Sequence, residues 1–364
     1  MPEYADALPD GPARRRGAAI NPANRFETTR YYLDGDWLDV QDRDRPPRRV
    51  PLEVVADRTR TVLNRVSPTS DVPFDWTLNP YRGCEHGCIY CYARPFHEFL
   101  GYSSGLDFET KLVAKHEAPE LLKRELASDK WRAEPIVMSA ITDVYQPIEA
   151  ELGLTRRCLE VLVKARQPTS TMTKGALVLR DLDLWQELAS FGAARVTVTL
   201  VTLDDTLAKS LEPRAASPKR RLAMIRALRA ANVPVSVNVA PIIPGLTDSE
   251  LPAILEAVAE AGADSASWVL LRLPYQLKNL WLDWMRRELH PARAARVESR
   301  LRQARNGKLY DAETRWNPRG EISKQIGDVF RLFCRRYGLE PERQPLSNAR
   351  FVRPHRPGQQ VLFA

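Results

Sequence analysis

The sequence predicts an α/β fold in which six parallel strands alternate with helices. Between residues 71 and 275, short runs rich in β-branched residues are each followed by an amphipathic helical stretch, which is typical of a parallel sheet with crossover helices. From the second run onward, the predicted strands start 33, 26, 40 and 32 residues apart. These intervals are close to the roughly 30 residues of one βαβ unit, so the runs are predicted to be successive strands of one sheet.

The predicted strands depart from this spacing only at the start. The first interval is 60 residues, because a cysteine-rich loop and an additional stretch lie inside it. The six predicted strands, in chain order, are WTLNPY (76–81), IVMSA (136–140), TSTMT (169–173), RVTVTLV (195–201), VSVNVA (235–240) and SWVLL (267–271).

The helical stretches between the strands carry one apolar face. After the fifth strand, Thr247 and Glu250 have the spacing of a capping box, and Gly262 marks a helix end. Between them, apolar residues recur at i, i+3, i+4 and i+7 and are predicted to face the sheet: Leu251, Ile254, Leu255 and Val258.

Composition divides the chain into three regions. Residues 1–70 are rich in Pro, Arg and Asp and are predicted to be an extension that wraps the body, with the run from Arg14 to Arg16 as a solvated arm. Residues 71–275 are the α/β body. Residues 276–364 are predicted to be a helical C-terminal region that ends in a basic tail.

The composition also excludes three broad classes of protein. With 44% hydrophobic and 27% charged residues, the chain is not disordered overall. It has no run of 18 apolar residues and no signal-peptide pattern at its N-terminus, so we expect a cytoplasmic protein without a membrane span. Three of its five cysteines are clustered, which does not fit a disulfide framework.

The net charge of +8 permits an acidic partner such as nucleic acid but does not require one. After Glu342 the tail has four arginines and no acidic residue, with Phe351 among them. Such a tail would grip a phosphate backbone or, more simply, would dock on the body or stay disordered.

The clustered cysteines, Cys84, Cys88 and Cys91, lie in the segment CEHGCIYC (84–91). This segment directly follows the first predicted strand. Loops at the carboxyl ends of parallel strands are where such sheets bind ligands and carry out chemistry. A metal bound there would therefore be an active-site metal.

Two kinds of metal centre suit these cysteines. A structural zinc site needs four ligands in a tetrahedral array, and His86 or His97 would complete a Cys3His set. An iron–sulfur cluster is also held by thiolates, and three thiolates would leave one iron open to another ligand. In the second case His86 and His97 are expected at the surface or just behind the ligands.

The Cys-x3-Cys-x2-Cys spacing, with Tyr90 before the last cysteine, resembles the signature of the radical S-adenosylmethionine (SAM) enzymes. Together with its position after the first of six strands, this resemblance favours the cluster. Over residues 73–305 the chain is more specifically similar to the spore photoproduct lyase-related group, whose fold is a partial (β/α)6 TIM-like barrel. The likeness is carried by NPYRGCEHGCIYCYARP, TDVYQPIE, TKGALVLRDLDL, LEPRAASPKRRLAMIRAL, VAPIIPGLTDSE and LRLP.

The resemblance implies a definite chemistry. Cys84, Cys88 and Cys91 would hold three irons of a 4Fe-4S cluster, and the fourth iron would chelate SAM. Electron transfer into the sulfonium would cleave SAM to a 5'-deoxyadenosyl radical, which abstracts hydrogen from a substrate. An external one-electron donor such as flavodoxin or ferredoxin is also implied, because no second cysteine cluster can hold an internal relay.

Matching the family's motifs residue by residue gives candidate site residues. Tyr90 and Tyr92 bracket the third cysteine, as two tyrosines associated with SAM contact and radical transfer do in spore photoproduct lyase. Thr142 and Asp143, just past the second strand, match the place that binds the methionine part of SAM. Lys174, after the third strand, matches a lysine near the cofactor carboxylate, and its alternative is a solvated loop lysine.

Two further candidates follow from weaker matches. Arg214 in LEPRA would contact the SAM carboxylate, and Asn238 on the fifth strand would contact the ribose or adenine. One departure matters more, because the lyase has a cysteine in its second strand that returns a hydrogen atom to the repaired thymine. This chain has Ala140 there. Cys158 on an apolar helix face and Cys334 near the C-terminus do not obviously replace it.

Three functions remain open from the sequence. The first is a radical SAM enzyme that acts on an unidentified substrate. The second is a lyase-like DNA repair enzyme, which would bind DNA electrostatically through a basic helical region. The arginines of that region are Arg286, Arg287, Arg293, Arg296, Arg300, Arg302 and Arg305. The third is a zinc-stabilised nucleic-acid-binding protein without catalysis.

Overall fold

The computed structural model describes residues 8–9, 15–27, 50–67, 70, 72–310, 320–339 and 345–355. Its centre is an open seven-stranded sheet in which the six predicted strands lie side by side in chain order. All five pairings between them are parallel. Helices follow the strands, so the predicted α/β fold is confirmed. The seventh strand is antiparallel and pairs with the first of the six.

The strands of the described part of the chain fall into the central sheet, a three-stranded sheet and a two-stranded ribbon. They are β1 (Leu8–Pro9), β2 (Ile20–Asn21), β3 (Glu53–Ala56), β4 (Leu63–Arg65), β5 (Trp76–Leu78), β6 (Tyr81–Arg82), β7 (Lys111–Ala114), β8 (Ile136–Met138), β9 (Thr169–Thr173), β10 (Ala194–Thr199), β11 (Val235–Ile242) and β12 (Ser265–Leu270).

The first two central strands are shorter than predicted. They end at Leu78 and Met138 rather than at residues 81 and 140. The Asn79 side-chain oxygen accepts hydrogen bonds from the backbone N–H groups of Ala140 and Ile141, both at 3.1 Å. A side chain therefore takes the place of the strand ladder at this point, and both segments turn away from the sheet.

The central sheet has one apolar and one polar face. Val196, Val198, Val235 and Val237 belong to the main hydrophobic core. The residues that alternate with them are polar and pair in register across three strands: Thr197 with Ser236 and Ser265, and Thr199 with Asn238 and Ser267. A polar lining on the face away from the core suits the binding of a polar ligand.

The helices pack around this sheet. In the described residues they are α1 (Asp107–Thr110), α2 (Ala118–Leu126), α3 (Glu149–Leu152), α4 (Leu154–Lys164), α5 (Leu182–Ser190), α6 (Asp205–Leu211), α7 (Pro218–Ala230), α8 (Leu251–Glu260), α9 (Leu277–Glu288), α10 (Pro291–Ala304) and α11 (Glu321–Arg336). Helical turns of the 3-10 type span Arg94–Leu100, Ala176–Asp181 and Asp248–Glu250. None of these helices is long and apolar enough to cross a membrane.

Helix α8 has the predicted core face but not the predicted cap. The four apolar residues at 251, 254, 255 and 258 are buried. The capping box is wrong, because Thr247 Oγ1 accepts from the Ile243 N–H at 2.9 Å and the Glu250 carboxylate accepts from Thr202 and Leu203. Both side chains bind the loops at the end of the sheet instead of the helix N-terminus.

The N-terminal extension contacts the body. Strand β4 extends the central sheet, and β3 pairs with β7. The backbone N–H groups of Gly17 and Ala18 donate to the Glu109 carboxylate at 3.0 and 2.9 Å, and Arg16 donates to the Glu109 carbonyl at 2.7 Å. The predicted solvated arm is therefore wrong at Arg16, while Arg15 is exposed and residue 14 lies outside the described residues.

The described part of the basic tail is docked on the body. The Val352 N–H donates to the Ala165 carbonyl at 2.8 Å, and Arg353 donates to the Trp131 carbonyl at 3.0 Å. Phe351 packs against the main core. Over residues 345–355 the tail thus follows the docked alternative, and its arginines at 343 and 356 lie outside the described residues.

Candidate active site

The cysteine loop, residues 83–91, follows β6 at the carboxyl end of the sheet. Gly83 and Gly87 have φ of 76° and 67°, where residues with a side chain are strained. A Cβ at Gly87 would also lie 2.6 Å from Glu109 Oε2. The Cys84 N–H donates to the Phe108 carbonyl at 2.9 Å, and the Ile89 N–H donates to the Leu211 carbonyl at 3.0 Å. The loop is therefore fixed from two sides.

Two of the three thiols of the loop are held out of water. Cys84 and Cys88 are each 6% exposed, and Cys91 is half-buried. Burial raises the pKa of Cys84 well above its ordinary value and that of Cys88 to about 12, and the neighbouring cysteines add to both shifts. Because desolvation disfavours the thiolates of Cys84 and Cys88, positively charged metal ions bound to these sulfur atoms would stabilise them.

Neither histidine of the loop region joins the cysteines. His86 Nδ1 lies 3.2 Å from Asp143 Oδ2, and the His97 ring packs against Tyr102 and Phe108 with centroid distances of 5.2 and 5.5 Å. Both histidines are 2% exposed, so a surface position is wrong for them. Within the described ranges, no three Cys, His, Asp or Glu side chains converge closely enough to hold one metal ion.

Thr142 and Gln146 brace the start of the cysteine loop. Thr142 Oγ1 donates to the Gly83 carbonyl at 2.6 Å and accepts from Gln146 Nε2 at 3.1 Å. Gln146 Oε1 accepts from the Glu85 N–H at 2.8 Å. All these groups are buried. The segment after β8 therefore sets the backbone position of Cys84 through side-chain hydrogen bonds.

Asp143 connects this segment with the end of β9. Its carboxylate accepts from the Lys174 N–H at 2.8 Å, the Tyr145 N–H at 2.9 Å and the Thr173 hydroxyl at 2.7 Å. Burial alone would raise the pKa of Asp143, but His86 and these donors outweigh it and lower the pKa to about 2. Asp143 is therefore an ionised carboxylate that fixes two loops.

Lys174 and Tyr90 lie together beside the cysteines. The Lys174 ammonium is 5.8 Å from the centroid of the Tyr90 ring. Burial would lower the pKa of Lys174, but electrostatic interactions with Cys88 and with the Glu212 carboxylate raise it above its ordinary value. Lys174 thus remains a cation in a half-buried position, and the solvated-loop alternative does not describe it.

A buried charge network lies behind Tyr90. The Tyr90 hydroxyl and the Arg221 guanidinium both donate to the Glu212 carboxylate. All three side chains are buried. Burial raises the pKa of Glu212, yet Arg221 and Lys174 outweigh it, so its pKa is lowered and it stays ionised. This network orients the Tyr90 ring toward the lysine.

The remaining candidates occupy different surroundings. Arg214 pairs with Glu85 at 2.7 Å, and its N–H donates to the His86 carbonyl at 3.2 Å. Asn238 lies on the polar face of the sheet, where its Oδ1 accepts from Ser267 at 3.2 Å. Tyr92 is 44% exposed, and its hydroxyl donates to the Ala140 carbonyl at 2.5 Å.

Comparison with known proteins identifies the family. Residues 78–258 match the family model of the radical SAM superfamily. An uncharacterised protein of Mycobacterium tuberculosis is 37% identical over 246 residues, which cover 67% of this chain and 72% of that protein. Another from Methanocaldococcus jannaschii is 31% identical over 199 residues, covering 55% and 71%. The chain belongs to the radical SAM superfamily. It is therefore a radical SAM enzyme.

Solved structures share the fold of this radical SAM protein. Spore photoproduct lyase with bound AdoMet and dinucleoside spore photoproduct has a TM-score of 0.57 at 17% identity, and the match covers 79% of this chain and 80% of that one. The same lyase complexed with dinucleoside spore photoproduct has a TM-score of 0.56 at 16% identity. At this identity the likeness shows the fold alone, which agrees with the predicted partial barrel.

The radical SAM family implies a 4Fe-4S cluster and SAM, and the cysteine loop fits such a cluster. In a 4Fe-4S cluster each thiolate binds a different iron, so the three sulfur atoms need not meet at one point. The desolvated thiols, which repel one another as thiolates, would be stabilised by the positive irons. That no Cys3His set converges among the described residues is consistent with this arrangement.

Sequence reasoning missed several groups that hold this site. Glu212, Arg221 and Gln146 all lie inside the motifs LEPRAASPKRRLAMIRAL and TDVYQPIE, which offered a signal. Arg94, in CYARP, donates to the Cys88 carbonyl at 2.9 Å and is ion-paired with Glu109 at 2.5 Å, both fully buried. A polar residue inside a motif beside the cysteines was the available clue.

Proposed function

We propose that this radical SAM enzyme cleaves SAM reductively at a 4Fe-4S cluster held by Cys84, Cys88 and Cys91. The observation that carries the proposal is the set of three cysteines on one braced loop at the carboxyl end of the sheet, two of them buried and the third half-buried. When bound, the cluster and SAM supply a 5'-deoxyadenosyl radical that abstracts hydrogen from a substrate. The polar face of the sheet, with Asn238 on it, supports a polar substrate or the ribose and adenine of SAM.

The polar residues around the cysteine loop have two roles, binding of the cofactor and positioning of the loop. Lys174, a half-buried cation beside Tyr90, would face the SAM carboxylate, because opposite charges attract strongly out of water. Thr142 and Asp143 were candidates for the methionine end, but their oxygens already hold the loop backbone. We assign them to positioning of the cysteine loop and Lys174. We assign Arg214 to the same positioning role, because it forms an ion pair with Glu85 in the cysteine loop.

The two tyrosines have different surroundings. The Tyr90 hydroxyl is engaged by Glu212, so its ring rather than its hydroxyl faces Lys174 and the cysteines. The hydroxyl of the exposed Tyr92 lies at the Ala140 carbonyl, two residues beyond the end of β8. Of the two, Tyr92 is the better candidate for contact with substrate, and Tyr90 for contact with the cofactor.

The decisive experiment replaces Cys84, Cys88 and Cys91 by Ala together. After anaerobic reconstitution, the variant should retain less than about a tenth of the iron and acid-labile sulfide of the wild-type protein and should not cleave SAM with dithionite. Cys334→Ala on α11 is the matched control, since Cys334 is buried away from the loop. A triple variant that keeps its cluster, or a wild-type protein that binds zinc instead of iron, would refute the proposal.

A lyase-like DNA repair function is the second candidate, because three exposed arginines line one groove. Arg293, Arg296 and Arg300 line a groove of about 800 Å³ between α10 and α11 and make no ion pair within the described residues. Of the other predicted basic residues, Arg287 and Arg302 are paired with acids, and Arg305 is buried. DNA affinity that falls steeply with salt, and that Arg296→Glu abolishes, would support this candidate.

The hydrogen-return step of that repair reaction has no thiol here. Ala140 occupies the position, and its carbonyl accepts the Tyr92 hydroxyl. Cys158 is fully buried in the main core, and Cys334 lies on α11 against the same core. Neither sulfur is available at the end of β8. We therefore place the first candidate, an enzyme of the family with another substrate, ahead of photoproduct repair.

A further inference from the structure

An exposed aromatic patch lies beside the cysteine loop. It consists of Phe26, Phe96, Phe99 and Tyr275, which are between 48% and 65% exposed. The Phe99 ring is 4.8 Å from that of Phe26 and 6.4 Å from that of Phe96, measured between centroids. The Arg25 guanidinium lies 3.8 Å from the Tyr275 centroid and 5.2 Å from that of Phe26, so it joins Tyr275 to the other rings.

Such a patch is unusual for a surface that stays in water. Large exposed apolar rings side by side commonly mark an interaction site, whereas single exposed apolar residues need no explanation. In the described chain the other large apolar side chains that are exposed are Tyr92, four residues before Phe96, and the separate residues Val54, Leu332 and Val352. The aromatic patch is thus a candidate docking surface.

The aromatic patch is rigidly attached to the cysteine loop. Phe96 and Phe99 lie on the 3-10 turn Arg94–Leu100, which begins three residues after Cys91. Within this turn the charged Arg94 and Glu98 are buried, and Arg94 donates to the carbonyls of Cys88 and Gly87 at 2.9 and 3.1 Å. The buried charges hold the turn, so the phenylalanines are displayed outward by the same backbone that carries the cysteines.

A small pocket leads from the aromatic patch toward the cysteines. It has a volume of about 170 Å³, and Phe96 and Phe99 lie in its wall. Ala93 and Ile141 form another part of the wall, and both pack in the same cluster as Cys84 and Cys91. A single layer of side chains therefore separates the pocket from two of the three thiols.

Charge plays a minor part at the aromatic patch. Arg25 is paired with Glu98 at 2.5 Å, and nearby Lys111 is paired with Asp107 at 3.2 Å. The patch is therefore close to neutral, in contrast to the groove that Arg293, Arg296 and Arg300 line. A nucleic-acid backbone or a strongly acidic partner would prefer the groove. An apolar protein contact suits the aromatic patch.

We propose that the aromatic patch is the docking surface of the one-electron donor protein, which presents a flavin or an iron–sulfur group at the mouth of the pocket. The inference rests on the proposed function, since an electron is needed only if a cluster is present. The donor loses one electron and the cluster gains one, and no bond forms between the proteins. Interfaces of electron-transfer partners are small, less than about 1,200 Å², which a patch of four rings can provide.

The test uses the reconstituted holoenzyme with Phe96→Ser and Phe99→Ser combined. Both rings are exposed, so the variant should fold. Stopped-flow absorbance follows cluster reduction by photoreduced flavodoxin and by reduced ferredoxin, and surface plasmon resonance follows binding of each donor without turnover. We expect reduction by the donor proteins to slow by roughly tenfold, as truncation of central aromatic residues does at interfaces, and donor binding to weaken in parallel.

Two controls isolate docking from a loss of structure. Reduction by dithionite needs no docking, so its rate and the yield of SAM cleavage should stay within about twofold of wild type in the variant. Leu332→Ser with Val352→Ser removes a comparable exposed apolar area elsewhere and should leave donor-driven reduction unchanged. This pattern would support the aromatic patch as the docking surface.

Three results would overturn the inference. Unchanged donor-driven reduction in the patch variant would show that the donor docks elsewhere. An equal loss with dithionite would show a structural role for the rings. A loss on Arg296→Glu alone, with strong salt dependence, would transfer docking to the arginine-lined groove. Failure of the proposed function is distinct, because the wild-type protein would then hold no reducible cluster with any reductant.

Discussion

Glu212 is a buried carboxylate that interacts with a tyrosine, an arginine and a lysine. Tyr90 and Arg221 donate to it, and its negative charge raises the pKa of Lys174. Removing one partner of a buried ion pair leaves the other charge without compensation, which costs more than an exposed pair ever contributes. Glu212 thus links the stability of the fold to the charge state of the site.

Glu212→Gln should destabilise the protein by about 3 kcal/mol, because it leaves Arg221 as an uncompensated buried cation. Urea denaturation measures this loss of stability. Glu288→Gln, which breaks an exposed pair with Arg287, should cost less than about 1 kcal/mol. Equal effects of the two changes would contradict the role of Glu212.

The segment of residues 15–27 is an element of the site, although its sequence shows no periodicity. Gly17 and Ala18 donate their N–H groups to Glu109, which also pairs with Arg94 behind the cysteine loop. A Cβ on Gly17 would lie 2.0 Å from the Gly87 carbonyl oxygen. The segment therefore covers the loop at van der Waals contact and limits access of water and oxygen to it.

Gly17→Ala should displace this segment from the cysteine loop, because a Cβ cannot occupy the position of the Gly87 oxygen. We expect the reconstituted cluster to bleach in air at least about threefold faster than in the wild-type protein, followed by absorbance. Gly327→Ala on α11 is the control, since its added Cβ would make ordinary contacts at 3.4 Å and Ala favours a helix. Equal bleaching in all three proteins would show that the segment does not shield the loop.

The elements differ in how far local sequence predicts them. The six central strands were predicted because β-branched runs and their spacing are local signals, and the three cysteines have a specific spacing. The side chains that hold the site residues in place were not predicted, since Glu212 is 122 residues from Tyr90 and Gln146 is 61 residues from Glu85. The predicted capping box failed for the same reason: Leu203, 47 residues away, binds Glu250. Contacts between distant segments leave no periodic pattern in the sequence.

The whole molecule surrounds the cysteine loop with buried ionisable groups. His97 lies behind the loop, where its Cε1 would be 3.2 Å from a Cβ at Gly83, and Asp143 lies in front, beside His86. Burial lowers the pKa of His97 from 6.5 to about 4. The native protein therefore holds this histidine neutral under conditions in which the unfolded chain binds a proton.

Acid should consequently destabilise the fold in a defined window. Below pH 6.5 the unfolded state gains a proton on His97 that the native state takes up only near pH 4, so stability should fall by about 3 kcal/mol across this range. Urea denaturation at successive pH values measures the slope. His97→Asn should remove it, whereas Asp143→Asn should keep it, because the pKa of Asp143 is lowered to about 2 and its contribution is lost only from about pH 4 downward. A His97 variant with the wild-type slope would show that His97 is not the group that titrates.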